Sequence, residues 1–141
     1  MSKSRVQSMG MGIIVFLMGS MIYFAFRTSE LYMFRIFPNG DFPSWIIAIR
    51  NQLSSLHVPE WIRYCLPDGL WLLSYMLIIE SIWNEETTWL HELFLWILPI
   101  SAILTEFLQM ALLIPGTGDW KDVIFYVMGI LTFLIYKNLQ L

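Results

Sequence analysis

A carboxylate inside a long apolar segment is the most informative chemical feature of the sequence. Glu106 lies within an apolar run over residues 89–114, roughly 12 Å before its end at the helical rise. A charged side chain near the bilayer centre costs about 2.5 to 3.5 kcal/mol, so Glu106 is expected to face other helices and to have a partner. Gln109 falls on the same helical face one turn later. The pair predicts either a functional polar site or an interhelical hydrogen bond that only holds helices together.

Three further carboxylates and several arginines are expected to gather near this glutamate. Asp68, Asp119 and Asp122 stand at helix starts, where aspartate also has a purely structural use as a cap. Each arginine taken alone is explained as an interfacial anchor. Together, arginines could clamp a phosphate, and carboxylates could hold cations, sugar hydroxyls or basic groups. The candidate binding cluster consists of Arg27, Arg63, Asp68, Trp71, Glu106, Gln109, Asp119, Trp120 and Asp122.

Other kinds of chemistry lack the residues they need. His91 and Glu92 resemble the start of a zinc-protease motif, but Leu95 occupies the position of the second histidine. Cys65 is the only cysteine, so we expect no thiolate metal site, and we predict no metal and no cofactor. The eight lysines and arginines are scattered in a chain of net charge −3, which excludes nucleic acid as a partner. No catalytic residue can be assigned.

The elements that carry these residues are expected to cross a membrane. Of the 141 residues, 57% are hydrophobic and 13% charged, whereas soluble domains have about a quarter charged residues. The apolar residues cluster in runs long enough to cross about 30 Å of hydrocarbon. The sequence therefore predicts an all-α membrane protein forming a single transmembrane domain over residues 1–141, with four transmembrane helices at about 9–26, 68–83, 89–114 and 119–136.

The segment between the first two helices, residues 27–66, contains three prolines and is followed directly by a fourth, Pro67, so it cannot form one helix. Residues 44–56 nevertheless begin with a serine cap and show an apolar face at helical spacing, which predicts an amphipathic helix lying in the membrane interface. Four crossings place residues 27–66 and 110–121 on one membrane face. Both termini and residues 84–88 then lie on the other face.

Two stretches resemble the VanZ-like family of small bacterial membrane proteins. One is residues 105–109 (TEFLQ) with 115–122 (PGTGDWKD) and Gly129, and the other is residues 66–71 (LPDGLW). The sequence departs from the family at Gly69, Thr117 and Tyr126, where the family often has basic residues or asparagine. The resemblance covers about residues 66–130. It implies a bacterial cytoplasmic membrane, both termini in the cytoplasm and the carboxylate face outside, but no biochemical activity.

The leading functional hypothesis is a cell-envelope protein whose polar cluster binds an anionic lipid head group or a cell-wall precursor. The expected partners are membrane lipids. A second hypothesis is a small structural or accessory subunit of a larger membrane protein complex, since abundant Trp, Phe and Met offer adaptable contact surface. A third is a membrane-embedded hydrolase or transferase with Glu106 as base, although one embedded carboxylate does not define a reaction.

Overall fold

The architecture is all-α, as predicted. The computed structural model describes residues 3–27, 42–53, 55–83 and 88–140, and no strand occurs among them. The helices are α1 (Lys3–Phe26), α2 (Ser44–Leu53), α3 (Glu60–Tyr64), α4 (Leu66–Ile82), α5 (Trp89–Met110) and α6 (Trp120–Gln140). Three of them, α1, α5 and α6, are long and apolar enough to span a membrane.

The fourth long helix, α4, lies at the centre of the bundle. It has 17 residues, and its apolar side chains are distributed all around its axis, which is typical of a helix enclosed by others. Met76 and Leu77 are buried and pack in one core with Val15 of α1, Leu95 of α5 and Phe133 of α6. The helices α1 and α6 thus pack mainly against α4, α5 contacts both α4 and α6, and these three outer helices turn most of their remaining apolar side chains outward.

Small residues allow α4 to approach its neighbours closely. The Ser74 hydroxyl donates a 2.8 Å hydrogen bond to the carbonyl of Gly12 on α1. A Cβ atom at Gly69 would lie 2.7 Å from the Phe125 carbonyl oxygen of α6, and one at Gly129 would lie 2.8 Å from the Gly69 carbonyl oxygen. The backbones of α4 and α6 therefore touch at a pair of glycines, as small residues permit in membrane bundles.

These contacts define the direction of each helix. Gly12 lies against Ser74 and Leu77, whereas Gly19 lies against Leu70 and Trp71, so α1 and α4 are antiparallel. The α6 helix runs parallel to α4, and α5 runs antiparallel to both. One end of the bundle, here called the Glu106 end, collects the ends of α1 and α5 and the starts of α4 and α6. The opposite end is called the Glu80 end.

The Glu80 end is held by a small ionic network that crosses three helices. Lys137 of α6 lies 2.9 Å from Glu80 Oε1 of α4, and His91 Nε2 of α5 lies 3.1 Å from Glu80 Oε2. Arg5 of α1 donates to the backbone carbonyls of Ser81 and Ile82, the last residues of α4. Carbonyls at a helix end lack intrahelical partners, so the arginine satisfies two of them.

Several predicted boundaries were wrong. The first helix begins at Lys3, before residue 9, and α5 ends at Met110, four residues short of 114, because the chain turns through a left-handed conformation at Leu112 (φ 57°) and Gly116 (φ 140°). The short α3 was not predicted. A helix does form within the predicted amphipathic segment, as α2. Residues 28–41 of that segment, and 84–87 of the acidic turn, lie outside the described residues.

The glycine contact between α4 and α6 makes a prediction about stability. In Gly129→Val the new side chain must displace the Gly69 backbone, so we expect a loss of about 1 to 3 kcal/mol, as for an overpacked core. Gly10→Val is the matched control, because a Cβ there meets no atom within 4 Å. Thermal unfolding in detergent, followed by circular dichroism, measures both. Equal melting temperatures for the two variants would contradict the close approach.

Candidate functional site

Glu106 holds the connection between α5 and α6. Its side chain is 9% exposed, and Oε2 accepts a 3.1 Å hydrogen bond from the backbone N–H of Asp119. The Asp119 carboxylate in turn accepts from the backbone N–H of Lys121 at 2.9 Å, in the manner of a helix cap. Gly118 passes so close to α5 that a Cβ would lie 2.7 Å from the Glu106 carbonyl oxygen. The buried carboxylate thus has a structural partner.

Four carboxylates form a cluster at the Glu106 end, here called the carboxylate cluster: Asp68, Glu106, Asp119 and Asp122. Tyr126 lies close to this cluster, because its hydroxyl interacts electrostatically with Asp68, Glu106 and Asp122. Asp122 Oδ1 is buried and has no hydrogen-bond partner. Arg27 attracts Asp68 and Asp122 electrostatically but forms no ion pair with either. In the described part of the chain, no three His, Cys, Asp or Glu residues are arranged to hold a metal ion.

Cys65 lies beside the carboxylate cluster, between α3 and α4. The residue is only 2% exposed. Burial raises the pKa of its thiol to about 12, and the neighbouring carboxylate of Asp122 adds to that rise by accepting a hydrogen bond from the thiol and by repelling a thiolate. A thiol in this setting is a poor nucleophile, so it is a packing residue of the site.

Three arginines surround the end of α1, and none takes part in an ion pair between described residues. The Arg27 guanidinium lies over the rings of Tyr23 (5.4 Å) and Tyr64 (4.9 Å), and its Nε is buried without a hydrogen-bond partner. Arg63 stacks over Phe26 at 5.8 Å, and its Nε is also buried and unpartnered.

The third arginine, Arg50 of α2, was not among the predicted site residues. It donates to the carbonyl oxygens of Phe24 (2.9 Å) and Arg27 (2.8 Å), which caps the end of α1 and attaches α2 to it. With Arg63 and Asn51 it lines a cavity of about 320 Å³, here called the arginine pocket. The sequence signal that could have identified Arg50 is its position in the last turn of the amphipathic helix α2.

The structure places the residues of the predicted binding cluster in several separate surroundings. Arg27 lies near the carboxylate cluster and Arg63 lines the arginine pocket, while Gln109 packs against Gly116 at the turn. Trp71 packs on the ring of Tyr23 (5.0 Å), over which Arg27 lies, and its Nε1 donates to Ser20 Oγ at 3.2 Å. Trp120 is 62% exposed and belongs to a separate surface hollow.

The environment of Cys65 predicts slow alkylation. A thiol pKa of about 12 leaves about 1000-fold less thiolate at pH 8 than an ordinary cysteine has, so iodoacetamide should modify the folded protein far more slowly than the denatured protein. Asp122→Asn removes a nearby negative charge and should accelerate the reaction several-fold. Lys121→Gln should not, because Lys121 lowers the thiol pKa. Rates that are equal in all folded variants would show that access alone controls the reaction.

Comparison with known proteins identifies no relative of this chain. No family model matches the chain, and neither a curated protein nor a solved structure matches it. The VanZ-like motifs therefore stay a resemblance. The function has to be inferred from the residues at the Glu106 end.

Proposed function

We propose that this chain is a VanZ-like protein of the bacterial cell envelope that binds an anionic lipid head group, or the phosphate of a cell-wall precursor, at the Glu106 end. In this proposal α4 is a fourth transmembrane helix. Its 17 residues extend about 25 Å, at the lower limit for crossing a bilayer. Both termini are then cytoplasmic and the Glu106 end faces outward, as the family resemblance implies.

The observation that carries the proposal is the group of three arginines at the end of α1. Their guanidinium groups are half-buried against aromatic rings and helix ends, and no described carboxylate forms an ion pair with them. A cation removed from water without a counter-charge is costly. Guanidinium groups match phosphate oxygens in geometry and bind them with two hydrogen bonds. A phosphate in the arginine pocket would supply the missing negative charge.

The carboxylate cluster has a different role in this proposal from the one first expected. Four carboxylates repel an anion, so the anionic group should not bind among them. Glu106 and Asp119 are occupied with the connection between α5 and α6. Asp122 has one oxygen without a hydrogen-bond partner, but this oxygen is buried. We therefore place the phosphate at Arg50 and Arg63 and not among the carboxylates.

Lipid binding by point variants tests the proposal. In Arg63→Gln the pocket loses one charged donor, and we expect retention of phosphatidylglycerol to fall about tenfold. Among the described residues, Arg63 makes one long hydrogen bond, to the Leu56 carbonyl oxygen at 3.5 Å, so the fold should tolerate the change. Native mass spectrometry of protein from mixed phosphatidylglycerol and phosphatidylcholine micelles measures the bound lipid.

The matched control is Lys121→Gln, which removes the same charge at the same end of the bundle but outside the arginine pocket. It should retain phosphatidylglycerol at the wild-type level. Equal losses in both variants would mean that general charge attraction explains the binding. No loss in Arg63→Gln would exclude the arginine pocket as the head-group site.

A further inference from the structure

An apolar groove runs between α1 and α2 beside the arginine pocket. Its volume is about 310 Å³. The lining is formed by Leu17, Met21 and Ala25 on one side and by Trp45, Ile46 and Ile49 on the other. Because α2 is attached to the end of α1 by the two Arg50 hydrogen bonds, the groove has a fixed width at that end. A surface of this kind can offer a ligand dispersion and hydrophobic contact but almost no hydrogen bonds.

The groove and the arginine pocket lie next to each other. Ala25 lines both, and Ile49 of the groove is followed directly by Arg50 of the pocket. From Ala25 the groove extends along α1 to Leu17, roughly 12 Å at the helical rise. Since α1 is long and apolar enough to span a membrane, this direction leads from its end toward the hydrocarbon. An anion-binding pocket thus lies beside an apolar groove that extends toward the bilayer interior.

We infer that the groove between α1 and α2 holds an acyl chain of the lipid whose phosphate binds Arg50 and Arg63, so that the ligand is a phospholipid and not a free anion. This inference rests on the proposed function and names its ligand class. A free phosphate or sugar phosphate would leave the groove without a matching occupant. A neutral hydrocarbon would leave the arginines without a counter-charge. Only an anionic molecule with a fatty chain complements both surfaces together.

Photo-crosslinking locates the chain directly. The full-length protein is reconstituted with phosphatidylglycerol that carries a diazirine in the middle of one acyl chain, irradiated, digested and mapped by mass spectrometry. We expect adducts concentrated on Leu17, Met21, Trp45 and Ile49. The same diazirine chain on phosphatidylcholine should give adducts spread over the lipid-facing sides of the helices. Adducts of the phosphatidylglycerol probe that are spread in this way would overturn the inference.

A pair of methionine variants on α1 provides the control. Met21→Trp narrows the groove, whereas Met18→Trp places the same bulk on α1 outside it; both methionines are exposed, at 60% and 50%, so both variants should fold. Excluding about two methylene groups from the groove should lower phosphatidylglycerol retention about tenfold in Met21→Trp and leave Met18→Trp unchanged. Equal retention in the two variants would contradict an acyl chain in the groove.

The outcomes separate the inference from the proposed function. Glycerol 3-phosphate, which has the anion without the chain, should compete poorly with the lipid probe. If it competes as well as phosphatidylglycerol and Met21→Trp binds normally while Arg63→Gln does not, the arginine pocket binds a head group alone and only the inference fails. If Arg63→Gln also binds normally, the proposed function fails.

Discussion

The close packing of α4 against α1 and α6 is the constraint on which the rest of the structure depends. Glycines at positions 12, 69 and 129 let the backbones approach to contact distance, and the Ser74 hydroxyl adds a hydrogen bond to the Gly12 carbonyl. Between helices in a lipid environment, such contacts replace the hydrophobic effect as the source of association. These contacts also fix the positions of the helices relative to one another along the bundle axis. Consequently Arg27 of α1, Asp68 of α4 and Asp122 of α6 reach the same end of the bundle.

The two ends of the bundle differ in whether their charged side chains form ion pairs. At the Glu80 end, Glu80 forms an ion pair with Lys137 and a hydrogen bond with His91, so its charge is compensated within the chain. At the Glu106 end, no described residue pairs a carboxylate with Arg27, Arg50 or Arg63, although both signs of charge are near. Unpaired charge held in place by packing is typical of sites that bind a ligand. The unpaired charges therefore favour a binding site at the Glu106 end.

Much of the fold could be predicted from apolar runs and helix breakers, because these are local properties of the sequence. The α5 and α6 helices and the burial of Glu106 followed from them. The end of α5 did not, since apolar residues continue to 114 and the turn depends on backbone conformation at Leu112 and Gly116. The site was predicted only in part. Arg50 caps α1 through a contact with Phe24, which lies 26 positions earlier in the chain. No local pattern of α2 specifies this contact.

The central claim is that the arginine pocket and the connection between α5 and α6 lie on one membrane face, opposite the end of α6. Single cysteines at the exposed positions Ser55, Thr117 and Asn138, in a Cys65→Ser background, test it most directly with a membrane-impermeant maleimide on intact cells. We expect labelling at positions 55 and 117, and at 138 only after the membrane is permeabilised. Labelling that separates 55 from 117, or that places 138 with either of them, would contradict the arrangement.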